Sequence, residues 1–377
     1  MVTRPSWIWL LALAACGTIG TPGSGDLDLP SSGGGPFQAL AQTQVAPQDL
    51  APFVFLDVGR LYREPSALAA TSDPSSPAVL LYVVVNGAKG DVIERTRADD
   101  GVSFYGDTGD LQNNSTHKPP VVLLASLAWE GSDLSGPSAL RIGSDIWLYY
   151  AAAGGIGLAK SSDGTTFTKT GQPVLGVDHG ASWEPTAPRA PTVAVFPDGS
   201  WHMLYASGSD IGEATSPDGM TWKRVDADPS TPTLDPVLEP SAVVDPTTLP
   251  LGEHPPFDEG SVDDPLLAPR VDPTGQLQVR VFYSGYDKPP GAKTRTSGVG
   301  FAARYGDAGP LSRQAKPVYT APGSSASGPA LLQWSGPAML YVSQLDITVT
   351  PSFPAIAAAY DPTASAPPTP GQFPSSP

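Results

Sequence analysis

Five segments of the chain end in proline after a residue that varies: Arg63-Glu64-Pro65, Ser135-Gly136-Pro137, Arg189-Ala190-Pro191, Asp263-Asp264-Pro265 and Ser327-Gly328-Pro329. Only Glu64 and Asp264 put an acid directly before the proline. A second row of acids lies seven residues ahead of the proline in three segments, at Glu130, Glu184 and Asp258. Glu130 and Glu184 each follow a tryptophan, Trp129 and Trp183. Two carboxyl groups facing one pocket can cleave a glycosidic bond: one protonates the leaving oxygen, and the other activates water or attacks directly. A tryptophan beside a carboxylate suits sugar binding, because apolar sugar faces stack on rings while acids hold hydroxyls. The alternative for the second row is structural, with loop acids tying neighbouring units together.

The elements that must position these acids recur too. A strand centred on tyrosine appears five times, at Ala78–Val85, Asp145–Ala151, Trp201–Ser207, Gln278–Gly285 and Ala338–Gln344, with Tyr82, Tyr149, Tyr205, Tyr283 and Tyr341 in register. A period of this size marks stacked or radial repeats. Each unit reads as a strand beginning at the X-Pro segment, the tyrosine strand, a strand of small residues such as Ile156–Lys160, and an outer hairpin. The hairpins Ser161–Phe167 and Ser216–Trp222 share an Asp-Gly turn ending in an aromatic residue, and Ala98–Phe104 is a weaker copy. Their aspartates read as turn architecture, since Asp accepts local backbone N–H groups and Gly permits the reversal.

Four strands in each of five units predict an all-β, five-bladed propeller, a fold that limits exposed sheet edges by radial repetition. The fifth unit lacks a fourth strand before the chain becomes proline-rich. Phe53–Val58 is a spare apolar strand upstream, expected to close the ring by pairing into the fifth blade. The predicted organisation is a signal peptide over 1–15, a tether over 16–49, the propeller over 50–362 and a disordered tail over 363–377.

With the units aligned, the chain resembles the five-bladed glycosidase-like superfamily, which includes glycoside hydrolase families 43, 32, 68 and 130. The resemblance rests on the runs 156–175 and 210–238 and on Phe257–Leu267, and it spans about residues 60 to 360. It implies a carbohydrate partner and carboxylates at the propeller axis. The family-43 pattern implies an Asp-Pro base in blade one, an Asp in a middle blade and a later Glu-Gly-Pro acid. Here blade one offers Glu64-Pro65, blade three has Ala190, and blade four has Glu259-Gly260-Ser261 followed by Asp263-Asp264-Pro265. The expected general base, acid and modulating carboxylate are therefore Glu64, Glu184 and Asp264, in unassigned order. Trp129, Glu130, Trp183, Asp258, Glu259 and Asp263 are the expected sugar-binding residues. A non-catalytic propeller binding a glycan or an envelope protein is the rival reading. A six-bladed sialidase-like reading would need an arginine cluster, for which Arg63 and Arg189 are the inner-strand candidates; five repeats argue against it.

Composition excludes other classes. Lys and Arg total 21 against 37 Asp and Glu, a formal charge of −16, so no basic stripe exists for nucleic acid. No glycine loop opens a helix for a nucleotide, and no G-x-S-x-G elbow occurs. His117, His179, His202 and His254 lack metal-ligand spacing, so neither a cofactor nor a catalytic metal is expected, while structural calcium stays open with nothing in the sequence indicating it. Arg4 precedes an apolar stretch from Trp7 to Ala15, too short to span a bilayer. Leu13-Ala14-Ala15-Cys16 matches a bacterial lipobox, making Cys16, the sole cysteine, the expected lipidation site. The sequence thus predicts a monomer held at the bacterial cell envelope, on the outer membrane or cell surface, by an N-terminal lipid.

Overall fold

A computed structural model describes residues 35–40, 53–55, 60–73, 76–105, 119–178, 181–250, 253–272, 274–293, 295–321, 324–333, 338–346 and 353–361. Two short strands, β1 (Gln38–Ala39) and β2 (Phe53–Phe55), precede five antiparallel sheets. Blade 1 holds β3 (Tyr62–Ala69), β4 (Val79–Gly87), β5 (Gly90–Ala98), β6 (Phe104–Tyr105) and β7 (Val121–Leu123). Blade 2 holds β8 (Ser135–Ile142), β9 (Asp145–Ala152), β10 (Gly155–Ser161), β11 (Thr168–Lys169) and β12 (Leu175–Gly176). Blade 3 holds β13 (Arg189–Val195), β14 (Trp201–Ser207), β15 (Asp210–Ser216) and β16 (Lys223–Val225). Blade 4 holds β17 (Ser261–Leu267), β18 (Arg270–Val271), β19 (Leu277–Tyr286), β20 (Ser297–Tyr305) and β21 (Ser312–Arg313). Blade 5 holds β22 (Ala326–Gln333), β23 (Ala338–Asp346) and β24 (Phe353–Tyr360). The innermost strands β3, β8, β13, β17 and β22 each touch the next, and β22 returns to β3. The chain is a closed five-bladed propeller.

The ring closes where the spare strand predicted it, and with one more strand than expected. Phe53 and Phe55 pair with Ala357 and Ile356. Gln38 and Ala39, expected within the tether, pair with Tyr360 and Ala359 and continue blade 5 outward. The first and last described strands therefore share one sheet. Val58, Cys16, the rest of the tether and the predicted tail lie outside the described residues.

The tyrosine period has a packing cause. Tyr82, Tyr149, Tyr205, Tyr283 and Tyr341 are all fully buried, within apolar clusters that each join two neighbouring blades. Three of them reach the Asp-Gly hairpin of the next blade. Tyr82 donates to the Gly164 carbonyl at 3.1 Å, Tyr149 to Gly219 at 2.6 Å and Tyr341 to Gly101 at 2.7 Å. The hairpin aromatic then meets the same ring edge-on: Phe167 on Tyr82 at 5.9 Å, Trp222 on Tyr149 at 6.0 Å and Phe104 on Tyr341 at 5.6 Å. As the turn reading anticipated, Asp163 accepts the N–H groups of Thr165 and Thr166, and Asp218 those of Met220 and Thr221, all at 2.8 Å. Blade 4 lacks this hairpin, and a buried ion pair replaces it. Arg304 donates twice at 2.8 Å to Glu213 of blade 3, which also meets His202 Nδ1 at 2.8 Å.

Candidate functional site

All five inner strands carry the same irregularity. Their pairing slips by a residue between Arg63 and Ser66, Ser135 and Ser138, Arg189 and Thr192, Asp263 and Leu266, and Ser327 and Ala330. The residue before each proline has left-handed backbone: Glu64 at φ 51°, Gly136 at 52°, Ala190 at 47°, Asp264 at 45° and Gly328 at 59°. Proline disfavours right-handed helical backbone in the preceding residue, and the bulge turns that residue toward the axis. Glycine takes this conformation freely, whereas other residues are strained by on the order of 1–2 kcal/mol. Space explains two of the glycines. A Cβ at Gly136 would lie 2.7 Å from the Ala190 Cα, and one at Gly328 would lie 3.2 Å from the Glu64 Cα. Glu64, Ala190 and Asp264 are the only non-glycine residues with positive φ among the described residues.

These bulges frame a pocket of about 300 Å³ at one end of the axis. The residues two before each proline, Arg63, Ser135, Arg189, Asp263 and Ser327, form its rim, and Glu64, Ala190 and Asp264 lie beneath them. Tyr286 and Ser343 complete the lining. A second axial cavity of about 160 Å³, lined by the five residues before the prolines, the prolines and the residues after them, adjoins it, so Glu64, Ala190 and Asp264 line both.

The two axial acids differ in what holds them. Glu64 accepts the Gly136 N–H at 2.6 Å through Oε2, its Oε1 lies 3.3 Å from Arg63 Nε, and its backbone N–H donates to Ser343 Oγ at 2.7 Å. Burial raises its pKa above the ordinary carboxylate value; Arg63 and the Gly136 N–H work against that shift, while Asp263 and Asp91 add to it. Asp264 accepts one hydrogen bond, from Ser284 Oγ at 2.9 Å. Burial and then the charges of Asp263 and Glu64 push its pKa up to about 8. Asp264 therefore keeps its proton at neutral pH, beside a second acid whose own upward shift is opposed by Arg63 and the Gly136 N–H, an asymmetry of environment of the kind that acid–base chemistry uses. Asp263 accepts from Arg189 Nη2 at 2.6 Å, and Arg63 pairs with Asp91.

The second row of acids is elsewhere. Glu184 is removed from the expected catalytic set, because its side chain is 0 % exposed and bound by Arg224 and by Tyr205 at 3.3 Å. Glu130 is equally sealed, taking Lys169 at 2.6 Å and Tyr150 at 2.6 Å plus the N–H groups of Ser126 and Leu127. Burial opposes its ionisation, but these donors outweigh it and hold its pKa below the ordinary value. Asp258 repeats the arrangement with Tyr283 and Arg313, each at 2.8 Å. In each blade a tyrosine of the second strand and a cation of the outer strand clamp the acid. Trp129 and Trp183 do not face the pocket lining either; they stack on Tyr150 at 6.1 Å and Tyr205 at 5.9 Å. The glycines of the third strand admit these rings, since a Cβ at Gly212 would lie 2.3 Å from Trp183. Glu259 also lies off the pocket, its carboxylate 3.5 Å from the Val244 N–H. Of the expected sugar-binding residues, only Asp263 is at the rim. Ser135, Ser327, Ser343 and Tyr286 line the pocket and were not among the expected residues; the two serines beside the X-Pro segments were legible as register positions.

No family model matches the sequence, and no curated protein sequence matches it. Solved structures do. A thermostable family-43 glycoside hydrolase superposes with a TM-score of 0.57 at 13 % identity, over 88 % of this chain and 100 % of the other. This chain shares the five-bladed propeller fold. A glycosyl hydrolase from Bacteroides ovatus gives 0.56 at 13 % identity, over 84 % and 87 %. BT0996, solved in complex with RGII, gives 0.54 at 15 % identity, over 90 % and 96 %.

Proposed function

We propose that the axial pocket cleaves a glycosidic bond in an oligo- or polysaccharide, with Asp264 as general acid and Glu64 as general base or nucleophile. The observation that carries this reading is the pair itself: the only two acids of the X-Pro ring occupy one pocket, in strained backbone, with different sets of donors. Asp264 gives its proton to the leaving glycosidic oxygen as the bond to the anomeric carbon breaks. Glu64 takes a proton from the attacking water, or bonds to the anomeric carbon itself. Asp263 and Ser284 act as positioning residues, the first through Arg189 and its charge on Asp264, the second through its hydrogen bond. The fold shared with glycoside hydrolases supports the assignment without establishing it. The lipobox at Leu13–Cys16 adds an anchor to this reading, presenting the propeller at the cell envelope.

The test is a hydrolysis screen on arabinan, xylan, fructan, mannoside and acidic polysaccharide substrates with wild type, Glu64→Gln and Asp264→Asn. The expected result is turnover of at least one substrate, lost in both variants. Turnover that survives both changes overturns the assignment. Glycan binding without turnover by wild type supports the rival reading of a binding propeller.

A further inference from the structure

The rim of the pocket is divided by charge. Blades 1, 2 and 3 contribute Arg63, Ser135 and Arg189 as one contiguous arc, and blades 4 and 5 contribute Asp263 and Ser327. Neither guanidinium is used up by the protein. Arg63 commits Nη2 to Asp91 and lies 3.3 Å from Glu64 through Nε. Arg189 commits Nη2 alone, to Asp263 at 2.6 Å and the Gly208 carbonyl at 3.2 Å. Nη1 of Arg63 and both Nε and Nη1 of Arg189 keep their protons for another acceptor, and the two side chains are 26 % and 33 % exposed. Ser135, at the same register in blade 2, lies between them on the ring. Planar guanidinium donors match a planar carboxylate, and a neutral hydroxyl array needs no such pair.

We infer that the pocket selects a sugar bearing a carboxylate, a uronic acid residue, whose carboxylate sits on the Arg63–Ser135–Arg189 arc. This rests on the proposed glycosidic site and adds its substrate class. Against the two arginines the lining holds Glu64, Asp263 and Asp264, of which the last keeps its proton at neutral pH, and Asp91 pairs with Arg63 from outside the lining. The unused guanidinium N–H groups, and not net charge, are therefore what favours the carboxylate. The sugar carboxylate and the scissile bond then occupy opposite sides of one pocket, the first on blades 1 to 3 and the proton donor on blade 4.

The test measures binding to an oligosaccharide panel in which each uronic acid member is matched by its methyl ester, its neutral hexose counterpart and a sulfated neutral counterpart. Asp264→Asn serves as the host, so that bound sugar is not turned over. The expected result is at least one uronic member bound at least tenfold tighter than its ester and hexose counterparts. Arg63→Lys and Arg189→Lys, which keep the positive charge beside Asp91 and Asp263, should each reduce that preference at least threefold. Neutral members binding as tightly as acids overturn the inference while leaving the glycosidic site standing, and a preference for the sulfated members overturns the carboxylate assignment. Undiminished preference in both lysine variants overturns the arc. Absence of binding to every member overturns this inference and the site together.

Discussion

Two sets of carboxylates sit at fixed offsets from the X-Pro segments and are held in opposite ways. The buttress acids Glu130, Glu184 and Asp258 recur in blades 2 to 4 with the same partners, a second-strand tyrosine and an outer-strand cation. The axial acids Glu64 and Asp264 break the repeat, since the equivalent positions are Gly136, Ala190 and Gly328. Every buttress acid is buried with a cation, whereas Asp264 faces the pocket with one hydroxyl donor and two neighbouring negative groups. Within a repeat protein, an acid that recurs with its full set of donors is holding blades. An acid that appears once, underpartnered and on strained backbone, is available for chemistry.

That contrast can be broken at several points, taken from the largest expected effect downward. Glu64→Gln and Asp264→Asn should each lower kcat/KM by about 10²–10⁴-fold in the hydrolysis assay, with midpoints of urea unfolding at pH 6 no lower than wild type. Glu184→Ala strands Arg224 in a buried site and should cost about 3–5 kcal/mol in urea unfolding. Stability near 0.5 kcal/mol of wild type would show that the buttress ties nothing together. Tyr149→Phe removes the bond to Gly219 between blades 2 and 3 and should cost about 0.5–1.5 kcal/mol by the same method. Ala190→Gly relieves the left-handed strain at a ring position without an acid and should stabilise by about 0.5–1 kcal/mol.

A pH series separates the two sets in another way. Asp264 keeps its proton in the folded protein up to about pH 8, while an unfolded aspartate loses it near about pH 4. Between those limits the folded state binds the extra proton, so this residue's contribution to stability declines as pH rises through the window. Asp264→Asn removes the decline, and its unfolding midpoint should gain on wild type between pH 5 and pH 9. Glu130 has the opposite sign: its lowered pKa supplies stability above the unfolded glutamate value that is lost as pH falls through the folded one. Lys169→Met should therefore flatten the acid side of the curve.

Much of the propeller was legible because it repeats. The tyrosine strands, Asp-Gly hairpins and X-Pro segments each have a packing role that recurs, so their spacing survives in the sequence. Strand β1 left no such trace: Gln38–Ala39 is two residues long and sits in a Gly- and Pro-containing stretch, and only its pairing with β24 makes it a strand. The axial acids were readable from the X-Pro register, because the bulge that aims them is written as residue-before-proline. Glu184 misled for a physical reason. Its cation, Arg224, lies 40 residues downstream on the outer strand, so no local signal marks the acid as already satisfied. Lys169, Arg224 and Arg313 do occupy matching outer strands, β11, β16 and β21, and aligning those with the acids would have exposed the buttress.

The most direct test places one variant from each set in two assays. Asp264→Asn and Glu184→Gln would be measured side by side for hydrolysis of the best substrate of the screen and for urea unfolding at pH 6. The account predicts a crossed result: Asp264→Asn folds at least as stably as wild type and is inactive, while Glu184→Gln is destabilised and, at temperatures where it stays folded, turns over normally. A stable, inactive Glu184→Gln beside an active Asp264→Asn would contradict it.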